Sequence, residues 1–170
     1  MLVVVTGVPG VGKSTVAAAL TRRLRGCLLA VDVIENAMLG AGVPRGWESG
    51  VAAYEVAGAL AVQNLNAGLP TIIDAVSDSQ ASRDTWRRAA ASARASMSVV
   101  EVRLADEHEH KRRLHGRARS FSHLPEPSWD DVRDRLERYE PWDEERLGLD
   151  ATRSLERLVQ IAYEHVQTAG

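Results

Sequence analysis

The chain has 170 residues, 45% of them hydrophobic, with 21 basic and 23 acidic side chains, a balance that suits one globular domain with its own core and excludes disorder over most of the length. A net charge of -2 gives no general attraction to nucleic acid or anionic lipid, so any affinity for phosphate must come from local clusters. Cys27 is the single cysteine, which excludes an internal disulfide and a cysteine-based zinc site; its apolar setting reads as a buried strand residue.

Met1 leads straight into Leu-Val-Val-Val, without a basic leader and with far fewer apolar residues than the ~20 that span a bilayer, so a cytoplasmic location and no membrane partner are expected. Residues 2–6 read as a first strand. A glycine-rich tract follows at once, and then Val16, Leu20 and Leu24 mark a helix with one core face. A second apolar run at 27–31 ends on Asp32. Residues 51–65 are apolar almost all round, which predicts a helix covered by other elements and ended by Ala67-Gly68 before Pro70.

Further strands are predicted at 71–74, ending on Asp74, at 98–104 and at 147–150. Capping patterns at Asp106 and Ser128 open two helices, and the polar stretch 116–127 between them reads as a mobile loop. Leu155, Leu158, Val159, Ala162 and Val166 form the stripe of a last helix. Short apolar runs alternating with periodic segments predict an α/β fold, a parallel sheet buried between helices. The expected organisation is one domain, 1–170, with a core of 1–104 and 128–170 and a lid at about 105–127.

The tract after the first strand reads Gly7-Val8-Pro9-Gly10-Val11-Gly12-Lys13-Ser14. Placed between an apolar strand and a helix, it is the phosphate loop of a P-loop protein. Gly7, Gly10 and Gly12 permit a tight turn whose amides converge on phosphate oxygens, Lys13 supplies a point charge, and the helix N-terminus adds its own partial charge. Val11 and Thr15 complete the cradle, and Ser14 is a candidate Mg²⁺ ligand. ATP and Mg²⁺ are therefore the expected cofactors.

Ligands of open parallel sheets sit beyond the carboxyl ends of the strands, where both predicted strand-end acids lie. Asp32 is a candidate base for a substrate hydroxyl, or else a helix cap. Asp74 is a candidate ligand of Mg²⁺ or its waters and a neighbour of the substrate, or else a turn cap. Lys111, Arg112, Arg113, Arg117 and Arg119 make a basic segment that either solvates a helix C-terminus or supplies lid cations, for which Arg113, Arg117 and Arg119 are best placed. Nucleic acid is an unfavoured partner, because Glu101, Asp106, Glu107 and Glu109 interrupt the positive footprint. His108, His110, His115 and His123 lack metal-ligand spacing and read as solvated. Arg45, Trp47 and Tyr54 are candidate acceptor contacts, with Trp47 equally able to anchor a loop; Trp86, Trp129 and Trp142 read as packing residues.

These residues resemble the P-loop small-molecule kinases of the AAA_33 type, near chloramphenicol phosphotransferase and more distantly gluconate and adenylylsulfate kinases. The resemblance rests on the phosphate loop, the Val31-Asp32 pair, Gly68-Leu69-Pro70-Thr71-Ile72-Ile73-Asp74-Ala75, Arg112-Arg113-Leu114-His115-Gly116-Arg117 and Leu149-Asp150-Ala151-Thr152. It implies a five-stranded parallel sheet of order 2-3-1-4-5, an arginine-bearing lid, and Mg²⁺-dependent transfer of the ATP γ-phosphoryl group to a small molecule. It further implies that Asp32 activates the acceptor, that Arg113 and Arg117 are lid arginines, and that Asp150, Thr152 and Arg153 lie near the adenine. The acceptor could be a metabolite, nucleoside, sugar or antibiotic-like compound. The alternatives are a nucleotide or nucleic-acid-end kinase and a slowly hydrolysing nucleotide switch.

Overall fold

The computed structural model describes residues 1–117 and 121–168. In chain order the elements are β1 (Leu2–Thr6), α1 (Lys13–Leu24), β2 (Cys27–Ala30), α2 (Val31–Gly40), α3 (Trp47–Asn66), β3 (Thr71–Asp74), α4 (Gln80–Ser92), β4 (Met97–Arg103), α5 (Glu107–His115), α6 (Trp129–Glu137), β5 (Arg146–Asp150) and α7 (Leu155–Thr168). All strand pairs are parallel, in the order β2-β3-β1-β4-β5. The expected sheet is the one found.

Strand β1 lies at the centre, and its side chains divide by the period of two. Val3 and Val5 join Val16, Leu20, Val100, Leu158 and Val166 in a core beneath α1 and α7. Leu2 and Val4 join Ala57, Ala61, Ile73, Trp86 and Ala89 in a second core beneath α3 and α4. A run of apolar residues without polar alternation is what two covered faces require.

Three sequence expectations change. Strand β2 stops at Ala30, and Val31 is already the first residue of α2, so Asp32 lies in the first turn of a helix, with no loop before it. Neither is it the cap: Ala30 holds that position, with extended backbone. Helix α3 starts at Trp47 and is covered on one side only, because α2 and α4 pack along the stripe Ala53, Ala57 and Ala61 while Val51, Val56 and Leu60 face outward. Cys27, on the edge strand, is half-buried. No helix among the described residues is long and apolar enough to cross a membrane.

Candidate active site

The phosphate loop leaves β1 in a conformation that only glycine fits. Gly7 has φ 141°, and a Cβ there would fall 2.4 Å from the Val102 carbonyl oxygen. Gly12, at φ 98°, is the N-cap of α1, and a Cβ on it would meet nothing within 4 Å because it faces the cleft. Its carbonyl accepts from the Thr15 and Val16 amides at 3.1 and 3.2 Å, and the amides before those have no intrahelical partner, as at any helix start. The first turn carries no acidic residue. Local sequence thus leaves a bare, positively polarised helix end for an anion.

Lys13 is buried, with Nζ 3.9 Å from Asp74 Oδ1. That oxygen is itself buried and has no hydrogen-bond partner among the described residues. A buried carboxylate oxygen is expensive to leave unbonded, so the position suits a cation or its water ligands. Ser14 and Thr15 are exposed at the start of α1. Together with Asp74, Ser14 forms an oxygen donor set of the kind Mg²⁺ takes, few protein ligands with room for water and phosphate.

A cleft of about 540 Å³ opens over the loop, lined by Gly10, Val11, Gly12, Lys13, Ser14, Thr15 and Val16 on one side and by Arg112, Arg113, Gly116, Arg117, Ala151 and Arg153 on the other. Arg113 donates to the Ala151 carbonyl at 3.1 Å and to Glu109 at 2.7 Å. Hydrogen bonds from Arg112 first, and then Arg113, pull the Glu109 carboxyl down to about 2. Arg117 Nη1 is buried without a hydrogen-bond partner among the described residues, 3.4 Å from a Glu126 oxygen. Arg119 lies outside the described residues. Asp150 accepts from the Thr152 amide and hydroxyl at 3.0 and 2.9 Å, which holds its carboxyl below the usual range. Of the expected adenine-side residues, only Arg153 lines the cleft.

Of the acceptor-side candidates, Asp32 and Tyr54 lie close enough for the charge of one to act on the other. Tyr54 stacks on Trp86 at 5.4 Å, and its Oη accepts the Ser77 amide proton at 3.2 Å. Burial first, then the negative charges of Asp78 and Asp32, push the Tyr54 phenol far above its ordinary range, so it stays protonated. Arg135 of α6 pairs with Asp78 at 3.3 Å, and the charge of Arg45 reaches Asp131 on the same helix. Asp32, Tyr54, Asp78 and Arg135 therefore share one electrostatic neighbourhood. Trp47 is 77% exposed, so it anchors nothing; Trp86 and Trp142 are buried, with their indole N–H groups bonded to Ser77 and Tyr139.

The loop between α5 and α6 is less free than its sequence suggests. Asn36 Oδ1 on α2 accepts the amides of His123 and Leu124 at 3.0 and 3.1 Å, and the His123 ring lies over Gly40. Both predicted caps form: Asp106 accepts from the Glu109 amide and Ser128 from that of Asp131. His110 corrects the solvated reading, being 3% exposed with Nε2 2.7 Å from the Pro9 carbonyl oxygen. No group of three or more metal-binding side chains occurs among the described residues.

Asn36, Asp78 and Arg135 belong to the site's surroundings, and the sequence holds no motif for them. Arg83 is equally unmarked: it is fully buried and donates to the carbonyls of Ser77, Glu140 and Pro141 while lying 4.3 Å over the Trp142 ring. A lone arginine on an amphipathic helix reads as a surface residue.

The profile of the AAA_33 family, described as an AAA domain, matches residues 2–139. Among solved structures, a putative kinase from Chloroflexus aurantiacus is 22% identical with a TM-score of 0.79, covering 96% of this chain and 97% of that one. Kti12 from Chaetomium thermophilum, in complex with ADP-AlF3, is 21% identical with a TM-score of 0.76, covering 99% and 98%. The Mycobacterium tuberculosis APS kinase CysC, in complex with AMPPNP and APS, is 20% identical with a TM-score of 0.75, covering 98% and 96%. No curated protein sequence matches the chain. At these identities the likeness is one of fold.

Proposed function

The chain belongs to the AAA_33 family, and from that membership and the shape of its cleft we propose that it transfers the γ-phosphoryl group of ATP to a hydroxyl of a small molecule. The observation that carries this is the placement of Arg113 and Arg117 across the cleft from Lys13. A nucleotide-binding module needs the phosphate loop; cations facing it from a second element are what a migrating phosphoryl group requires.

Lys13 and the loop amides hold the β- and γ-phosphate oxygens. Ser14 and Asp74 would hold Mg²⁺, which when bound would supply neutralisation of charge on those oxygens. Asp32 accepts the proton of the acceptor hydroxyl. It follows β2, two strands from β1 in the sheet, a lateral offset of roughly 10 Å that leaves room for an acceptor between base and donor. Arg113 and Arg117 meet the charge that develops on the moving group, and Arg153 lies at the nucleotide's far end. Residues 105–127 act as the lid over a core of 1–104 and 128–170. The residues proposed for the acceptor pocket are Asp32, Arg45, Trp47, Tyr54 and Asp74, together with Asp78 and Arg135, whose charges reach Tyr54.

The test is a library of hydroxylated metabolites, nucleosides, sugars and antibiotic-like compounds incubated with γ-labelled ATP and Mg²⁺. A phosphorylated product is expected, and its identity names the acceptor. ATP bound and slowly hydrolysed with no labelled product from any compound would replace this reading with that of a nucleotide switch.

A further inference from the structure

We infer that His110 is a positioning residue that seats the arginine-bearing helix α5 on the phosphate loop. A carbonyl oxygen can only accept, so His110 Nε2, 2.7 Å from that of Pro9, carries the proton and donates it. The amides of a phosphate loop converge inward on the anion, which turns carbonyls outward. The Pro9 carbonyl finds its donor in His110.

The contact is steric as well as polar. A Cβ on Gly10 would come within 3.0 Å of His110 Cδ2 and 3.2 Å of Leu114 Cβ, and Gly10 itself has φ 93°. The loop thus offers bare backbone to the helix. On the other side, Trp129 of α6 meets the imidazole edge-on, with centroids 5.0 Å apart at 89°, and the Lys111 ammonium lies 4.9 Å over that indole. His110 is held between the loop and α6.

Its spacing ties the seat to the cations. His110, Arg113 and Leu114 recur at i, i+3 and i+4 on one face of α5, Arg117 follows directly after its C-cap Gly116, and the two arginines line the cleft. An apolar side chain of similar size would fill the volume and leave the Pro9 carbonyl unpaired. What it would lose is the fixed angle and register of α5, and a displacement of ~1 Å at a reacting centre is worth ~10²-fold in rate.

For turnover this inference rests on the phosphotransfer reading; for affinity it rests on nucleotide binding alone. The variants are His110→Leu, His110→Gln (whose amide nitrogen can reach the position of Nε2), Arg113→Ala, and Arg113→Ala combined with His110→Leu. Calorimetry gives affinities for MgATP and MgADP, and coupled assays give kcat and KM with the acceptor found by screening. His110→Leu is expected to lose most of the preference for ATP over ADP and ~10- to 100-fold in kcat, with KM for the acceptor changed by less than ~3-fold. His110→Gln keeps both properties within ~3-fold, and adding His110→Leu to Arg113→Ala costs little more.

Wild-type behaviour of His110→Leu, or losses that multiply in the double variant, overturns the inference. So does His110→Gln failing as badly as His110→Leu at an unchanged melting temperature. Should His110→Leu not fold, His110→Gln against Arg113→Ala decides, and equal impairment overturns it. If no acceptor is phosphorylated, the transfer reading fails alone, and the preference for ATP over ADP still decides the role of His110.

Discussion

The Lys13 ammonium and the Asp74 carboxylate stand 3.9 Å apart where α1 begins and β3 ends, both almost wholly buried. The carboxylate is close enough to feel the cation, yet Oδ1 has no hydrogen bond among the described residues. On the proposed reading the lysine would serve the phosphates and this oxygen the metal.

Asp74→Asn should therefore separate two affinities. Binding of ATP in EDTA should change by less than ~3-fold, while the gain from adding Mg²⁺ should fall by at least ~10-fold, the scale on which metal-site partners act. Titration calorimetry with and without Mg²⁺ measures both, and an equal Mg²⁺ gain in the two proteins would remove Asp74 from the metal site. Lys13→Ala, by contrast, should abolish ATP-dependent turnover in the presence of Mg²⁺.

Asp32→Asn should leave nucleotide affinity intact and lower transfer to the acceptor by ~10²-fold or more, the scale of losing a general base. In the first turn of α2 a carboxylate is favoured by the helix dipole, so the substitution should also lower stability slightly. Equal transfer rates would assign the proton to another group, and Asp78 would be the next to test.

Arg83→Met should destabilise without touching the nucleotide. The guanidinium holds the carbonyls of Ser77, Glu140 and Pro141; that of buried Ser77 costs about 1–3 kcal/mol when left unpaired, whereas those of exposed Glu140 and Pro141 can turn to water. A loss of about 1–3 kcal/mol is expected in urea unfolding. Because Glu140 and Pro141 link α6 to β5, the loss should come with faster proteolysis at that link.

Acid should weaken the fold in a defined window. Glu109, Asp131, Glu144 and Asp150 are all held below their ordinary values by hydrogen bonds, Glu109 to about 2. A folded-state value below the unfolded one means fewer protons bound when folded, so the stabilisation is full above the unfolded value of ~4.3 for glutamate and is lost as pH falls through the folded value. The urea midpoint should be flat from about pH 7 to 5 and decline between about pH 4.5 and 2. Glu109→Gln should flatten that decline.

Elements whose residues carry periodicity or capping patterns are legible from the chain alone. The sheet order comes with the family resemblance and not from periodicity, and the phosphate loop is explicit because its mechanism dictates residues at fixed spacing. Asp32 stands out in the sequence, although as a strand end and not as part of a helix, since nothing in Ala30-Val31-Asp32 marks a strand that becomes a helix without a loop. His110 is misread from sequence because burial of a single polar residue depends on what lies opposite, here the Pro9 carbonyl 101 residues away along the chain. Arg135 and Asp78 escape for the same reason: their pairing exists only once α6 packs back over the sheet.

The carboxamide of Asn36 and the carboxylate of Asp32 sit one turn apart on α2, the first gripping the loop over the acceptor side through the His123 and Leu124 amides. The residue that holds His123 and Leu124 and the proposed base thus share one helix. On that reading, a shift of residues 123 and 124 is felt at the acceptor hydroxyl through a single turn of α2.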